Sequence, residues 1–339
     1  MKKILGISGL LLFVFLVTWI AEPRFATAYN LQNIIRWSSL FGIISIGVSF
    51  VIITAGIDLS IGSVIGLSGC LLPMLLIGSG WPAPAALLAV LGVAAAIGLL
   101  HGFLITRLGL QPFVVTLCGL LFYRGLARWI TADQVQGFGA AHDSLRQLAT
   151  GKIPLTESFA LPIPFLIMVL LGIAAALFLN RTIYGRYLLA LGNNQEAARY
   201  SGVPIERMIL LAYVICACTA GLGGILFALD VNSVQPASQG NFYELYAIAA
   251  AVLGGCSLRG GEGSILGVII GAAVMRVLYN AINVLGIPTQ LEFAIIGTVI
   301  LAGVVADELI RRVAARRRAV REAGGWPTEN ADQRLDPGQ

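Results

Sequence analysis

Four side chains stand out because charge and hydroxyl groups are rare where they sit. Asp58 and Ser60 fall between two apolar segments within Ile53 to Gly69, which reads ITAGIDLSIGSVIGLSG. A carboxylate or hydroxyl there can cap the helix that follows, its charge complementing the helix dipole. It can equally line a polar path through apolar surroundings, and the two roles are compatible. Arg124 and Arg128 lie one helical turn apart near the outer end of an apolar run, with Phe122, Tyr123 and Trp129 around them. Arg276 interrupts another apolar run near its middle. Ionisable groups at such depth face a cavity or a partner and are functional candidates by default. Arg128 has the alternative of snorkelling to an interface beside Trp129. Arg276 is deeper and costlier, with Glu244 and Glu292 as candidate partners. Asp58, Ser60, Arg124 and Arg276 are therefore the candidates for a polar pathway.

A second constellation lies between two uncharged apolar runs, Phe159 to Asn180 and Met208 to Leu229: the charged, polar island Arg181 to Arg207. Within it Asn193 can cap a helix whose third position is Glu196, a variant of the reciprocal capping box. Gly202, Val203 and Pro204 terminate that helix. Two turns are marginal in isolation, because nucleation costs more than so few residues return. The helix must lean on its own bundle or on a partner protein.

The elements that position these residues follow from composition. The chain is 58% hydrophobic and 12% charged, against about 25% charged in a soluble domain. Long continuous apolar runs select helices over barrel strands as the spanning structure. Reading runs against breakers gives an all-α, polytopic integral membrane protein with about ten transmembrane helices, at 4 to 21, 38 to 55, 60 to 79, 83 to 105, 112 to 131, 160 to 180, 208 to 229, 243 to 257, 264 to 285 and 291 to 309. Gly78, Ser79, Gly80, Trp81, Pro82 and Pro84 separate the third from the fourth. The start, with Lys2 and Lys3 before an apolar stretch, resembles a signal peptide without a cleavage site and is expected to be a retained first span.

Placing both termini in the cytoplasm gathers fifteen of the 22 Lys and Arg residues there, the asymmetry of the positive-inside rule. The island 181–207 is then cytoplasmic, and the long segment 132–158 lies on the outer face. Residues 1–310 make one transmembrane domain, followed by a basic cytoplasmic tail, 311–339, expected to be disordered. Its arginine cluster flanks the last span, which argues for a topology signal and against nucleic acid. The surrounding partner is membrane lipid.

Glycines spaced by four, Gly62 and Gly66, Gly98 and Gly102, and Gly263, Gly267 and Gly271, let helices approach closely. Packing within one bundle explains them more simply than a dimer face. A short echo, Gly-Ser-Val-Ile-Gly from Gly62 against Gly-Ser-Ile-Leu-Gly from Gly263, hints at a duplicated unit. The cysteines, odd in number, lie in or beside apolar runs and read as small buried hydrophobes. With His101 and His142 the only histidines, neither a metal site nor a His-centred triad is supported. GxxxxGK[ST] is absent, so no P-loop binds ATP here. Few acids fall inside spans, which argues against ion-driven transport.

Three stretches, ITAGIDLSIGS from Ile53 to Ser63, GNNQEAARYSGVP from Gly192 to Pro204, and AIAAAVLGGCSLRGGEGSILG from Ala247 to Gly267, resemble the sugar-importer permeases of the ABC superfamily. These are the ribose, xylose and galactofuranose type, in the same broad group as branched-chain amino acid permeases. The resemblance covers residues 30 to 310. It implies a multi-pass subunit of the bacterial plasma (inner) membrane that carries a monosaccharide inward and is itself no enzyme. Its partners would be a second permease copy or paralogue, two cytoplasmic ATPase domains that bind the ATP, and an extracytoplasmic sugar-binding protein. No cofactor is expected on this chain.

The family's coupling loop matches Gly192 to Pro204. The resemblance assigns ATPase coupling to Asn193, Asn194, Gln195, Glu196, Ala197, Ala198, Arg199, Tyr200, Ser201 and Gly202, with a helix from Asn194 to Ser201 docked in a groove of the ATPase. The family's Ile-Asp-Leu-Ser motif matches Ile57 to Ser60, and its Arg-Gly-Leu motif matches Arg124 to Leu126. The outer loop 132–158 departs from any recognisable subtype. Another small polar metabolite as cargo, or a self-sufficient secondary transporter, are the alternatives, and an intramembrane enzyme has little support in nucleophiles or bases.

Overall fold

The computed structural model describes residues 2–303 and 305. The tail 311–339 and the end of the last expected span lie outside the described residues. Residues up to Glu292 form one compact unit, and the chain from Phe293 belongs to a second. Among the described residues eight helices are long and apolar enough to cross a bilayer. They are α1 (Lys2–Ala21), α2 (Ala28–Ile53), α3 (Ile61–Pro73, continued by a π turn Met74–Gly78), α4 (Ala83–Arg107), α5 (Pro112–Thr131), α7 (Ile163–Arg181), α10 (Ile205–Val231) and α12 (Ile265–Val284). The π turn follows Pro73, whose missing N–H breaks the α-helical ladder.

Two shorter apolar helices, α11 (Tyr243–Leu253) and Thr289–Gly303, complete the apolar set. The expected span 243–257 is thus corrected: α11 has 11 residues, about 16 Å of rise, half of what a crossing needs. The non-helical segment 232–242, rich in Asn, Gln, Ser and Gly, leads into it.

The two longest helices, α2 and α10, are 83% and 61% buried over their most apolar windows and the α3 span 72%, whereas α4, α5 and α7 are each 28% buried. Each of the two longest is followed by a non-helical stretch and then by a helix: α2 by 54–60 and α3, α10 by 232–242 and α11. Helix α10 packs on α2, α3 and α4, while α2 packs on α10, α11 and α12. Exchanging α2 with α10, α3 with α11 and α4 with α12 maps one set of contacts onto the other, which is the signature of a duplicated, inverted unit. The Gly62 and Gly263 echo does not mark it, because Gly263 precedes α12 and packs on Ile53 and Cys256.

The other spaced glycines serve this packing. A Cβ on Gly98 would lie 2.6 Å from the Tyr213 carbonyl, and one on Gly102 would lie 2.7 Å from the Leu210 Cα, both on α10. A Cβ on Gly267 or Gly271 would collide with the Gly254 or Ala250 carbonyl. Of the cysteines, Cys70, Cys216 and Cys256 are buried, but Cys218 is half-buried and Cys118 is exposed.

Charges that seemed to bound the spans lie inside the helices. Arg36 on α2 meets Asp230 on α10 at 2.9 Å, with the Asp230 side chain 4% exposed. Asp230 Oδ1 makes no aligned hydrogen bond, so Coulomb attraction holds the pair more than directional donation does. The segment between α5 and α7 contains a short helix α6 (Asp143–Thr150) and an antiparallel hairpin, β1 (Lys152–Pro154) with β2 (Ala160–Pro162). It is tied to the end of α10 and the start of α2: Gln136 pairs with Val234, Phe138 N donates to Asn232 Oδ1 at 2.8 Å, and Lys152 Nζ donates to Gln32 Oε1 at 2.9 Å. These ends therefore share one face, and the end of α2 reaches the other.

Candidate functional site

At that other face the three sequence motifs converge. The Gly261 amide donates to the Ile53 carbonyl at 2.9 Å. A Cβ on Gly192 would collide with that carbonyl and with the Gly261 backbone. Gly260 (φ 84°) and Gly261 (φ 74°) adopt left-handed conformations, which glycine enters without steric cost. Residues 254–263 thus form a tight knot on which the end of α2 and the island 181–207 both rest.

The island folds as two helices, α8 (Ile183–Asn193) and α9 (Gln195–Tyr200). Asn194, with extended backbone, caps α9, its Oδ1 accepting from Ala197 N at 3.0 Å. The expected cap, Asn193, is instead the last residue of α8, and the neighbouring Asn194 takes the cap. The helix spans six residues, shorter than Asn194 to Ser201. Its exit is a Schellman turn: Gly202 (φ 80°) donates to Arg199 O and Val203 to Ala198 O, both at 3.0 Å. Ala198 is 5% exposed, packed inward against the bundle, whereas Tyr200 is 91% exposed. Asn193, Asn194, Gln195, Glu196, Ala197, Arg199, Ser201 and Gly202 are exposed as well.

Above α9 lies a cavity of about 440 Å³, lined among others by Gln195, Arg199, Ala55, Gly56 and Tyr213. The start of the non-helical segment 54–60, Thr54 to Gly56, forms part of its wall. After Ile53 the chain turns through Ala55 (φ 62°) and climbs beside α5. Thr116 Oγ1 and Tyr213 Oη both donate to the Ile57 carbonyl at 3.3 Å. Asp58 and Ser60, 2% and 1% exposed, bond to each other: Asp58 Oδ1 accepts from Ser60 N at 2.9 Å and from Ser60 Oγ at 2.7 Å. Neither side chain caps α3; the expected cap is an Asx turn one step earlier. Nearby on α4 and α5, His101, 1% exposed, meets Tyr123 Oη through Nε2 at 2.9 Å, and its Nδ1 has no partner. The sequence carries little signal for this pair, because a lone histidine in an apolar run has no spacing partner.

Arg124 stands three turns into α5, about 18 Å from its start. Its Nη1 donates to the carbonyls of Pro236 at 3.0 Å and Gln239 at 2.6 Å, and its Nη2 to Gly62 O at 3.5 Å. Backbone polar groups outside helices are tolerated at membrane depth only when satisfied in this way. Gly62 and Gly240 touch backbone to backbone, and Glu244 lies against the same side of Gly62. Segment 232–242 therefore meets the first turn of α3 inside the bundle, with Arg124 across the seam.

Arg276 is not part of that seam. Its guanidinium lies over Trp37, Phe41 and Tyr279 at 5.0, 5.3 and 4.4 Å from the ring centroids, a cation–π enclosure. Of the expected acidic partners, Glu244 faces Gly62, whereas Glu292, which accepts from Tyr246 Oη at 3.0 Å, stays within electrostatic range of Arg276. Arg128 does not snorkel alone. It makes a two-pronged ion pair with Asp133 at 2.7 and 2.8 Å, and this bond holds the exposed Asp133 carboxyl below the usual range. Among the described residues no cluster of three or more His, Cys, Asp or Glu is placed to hold a metal.

Enclosed broken helices, a duplicated inverted unit and a polar seam inside an apolar bundle define a membrane transporter. The sequence signature of the branched-chain amino acid transport system permease component matches residues 30–304, and the chain belongs to that family. It is 36% identical over 304 residues to the ribose import permease protein RbsC of Escherichia coli (strain K12), covering 89% of this chain and 92% of the relative. The Bacillus subtilis (strain 168) ribose import permease protein RbsC is 33% identical, over 91% and 93% of the two chains. The xylose transport system permease protein XylH of Escherichia coli (strain K12) is 29% identical, over 90% and 91%. No solved structure matches the chain.

Proposed function

We propose that this chain is the membrane-spanning subunit of an importer that passes a monosaccharide inward, driven by ATP hydrolysis on a separate cytoplasmic subunit and supplied by an extracytoplasmic binding protein. The relatives named for ribose and xylose support the cargo class. The observation that carries the coupling is α9: a capped helix with one inward residue, Ala198, and an exposed Tyr200. It lines the same cavity as Ala55 and Gly56. A short helix offered to a groove is a recurrent recognition mode. Glu196, Arg199 and Tyr200 form the docking surface, while Asn194 and Gly202 shape it and Ala198 anchors it.

An ATPase can move the permease only by contacting its two states differently. Force on Gln195 or Arg199 reaches the 54–60 segment across the shared cavity. This gives Asp58, Ser60 and Arg124 their place on the solute path. Two copies of the chain, or one with a paralogue, complete the membrane unit. Proteoliposomes holding the chain with its ATPase and binding protein test the assignment. ATP-dependent uptake of labelled D-ribose, D-xylose or D-allose is expected. Uptake of leucine alone would move the cargo to amino acids, and uptake by the chain alone under an ion gradient would overturn the coupling.

A further inference from the structure

The seam inside the bundle is tightly closed, with a carboxylate beside it. Arg124 draws together parts of the chain far apart in sequence: Pro236 and Gln239, from the segment that enters from the outer face, and Gly62, at the start of α3. The fit leaves no slack. A Cβ on Gly66 would lie 2.8 Å from Arg124 Nη1 and 2.9 Å from the Gln239 carbonyl, and one on Gly62 would collide with Gly240 O and with Glu244 Oε2. Glu244 is 8% exposed, flanks the same glycine as Arg124, and makes no ion pair within 4.0 Å among the described residues.

Segment 232–242 also has an outward handle. Val234 pairs with Gln136 in both directions, at 2.9 and 2.7 Å, and Asn232 Nδ2 donates to Gly139 O at 2.9 Å. A pull on the outer loop 132–158 is thereby passed to the residues that Arg124 holds.

We propose that Arg124 is the clasp of the outer gate: it pins 235–240 to the start of α3 in the closed state, and opening exchanges those carbonyls for the Glu244 carboxylate. This rests on the transport function proposed above. A guanidinium moving from carbonyls to a carboxylate keeps its donors satisfied in both arrangements, and a bond between two charged groups is stronger than one to a neutral acceptor. Each state then has its own packing, as two-state elements require. Arg124 acts through the backbone it positions.

Cys70 supplies the reporter. It lies on α3, is 0% exposed, and is within electrostatic range of Arg124. The full chain, with Cys118, Cys216, Cys218 and Cys256 replaced by Ala, is placed in proteoliposomes. The membrane-impermeant reagent MTSET is then added from the outer side. Arg124→Gln should raise the Cys70 labelling rate at least tenfold, and Arg124→Lys, which keeps the charge but not the fork, should raise it by a smaller factor. Glu244→Gln should leave labelling as slow as in the parent while slowing uptake in the assembled importer.

Parent-like protection of Cys70 in a folded Arg124→Gln chain would overturn the clasp. Labelling in Glu244→Gln as fast as in Arg124→Gln would overturn the exchange, since it would make Glu244 a holder of the closed state. If Arg124→Gln does not fold, the Arg124→Lys rate decides. Labelling needs neither ATPase nor sugar, so its outcome is independent of the cargo and coupling tests.

Discussion

The seam inside the bundle and the exposed helix α9 use polar residues in opposite ways. At the seam the Arg124 fork is committed to carbonyls of the same chain, and Asp58 is closed onto Ser60. On α9 only the ends are satisfied internally, while Glu196, Arg199 and Tyr200 point outward. Lipid supplies no hydrogen bonds, so polar groups at depth must find partners within the protein. Water lets the outer face of α9 keep its donors and acceptors free for another surface. On the proposed function one region rearranges internally and the other is gripped, and a cavity lined by Thr54, Ala55 and Gly56 adjoins α9.

Substitutions should separate the two regions by kind of damage. The largest effect belongs to the seam: Gly62→Val forces a branched side chain into Gly240 and Glu244, and folded protein and uptake should both be lost, read by detergent-stable yield. Breaking the supporting pair by Asp230→Ala leaves Arg36 uncompensated and should cost about 3 kcal/mol. Thermal unfolding in detergent measures it, and a double-mutant cycle with Arg36→Ala should recover part of the loss. On α9, Asn194→Ala removes the cap and should cost about 1 kcal/mol locally, weakening ATPase association roughly fivefold with the unfolding temperature nearly unchanged. The smallest effect is expected at Asp133→Asn on the outer face, where the exposed pair with Arg128 should leave uptake at the parent level. The Asp133 carboxyl is depressed by that bond, so the pair persists above the ordinary Asp range and is lost only as pH falls through the lowered value. An Arg128–Asp133 contribution that disappeared on raising pH would contradict the assignment.

The eight long apolar helices were legible because lipid demands long runs, and the island was legible because it interrupts them. What escaped were features that look polar in sequence and are buried in space. Arg36 and Asp230 marked apparent span ends, yet they pair with each other between α2 and α10. Segment 232–242 reads as a surface loop, since nothing local says that Arg124 will satisfy its carbonyls. The α9 cap was displaced by one residue because two adjacent asparagines offer the same chemistry, and tertiary packing of α8 chose between them. Arg276 was assigned acidic partners on charge alone, whereas ring faces contributed by α2 and α12 enclose it.

The claim that α9 transmits ATP-driven motion is tested most directly by one uptake measurement. Proteoliposomes carry the ATPase, the binding protein and either the parent chain or the Glu196→Arg, Tyr200→Ala double variant, and ATP-dependent accumulation of labelled D-ribose, or whichever sugar the parent importer accepts, is followed. Loss of uptake to the ATP-free background, with the variant's unfolding temperature unchanged, is the predicted result. Uptake at the parent rate in the double variant would contradict it.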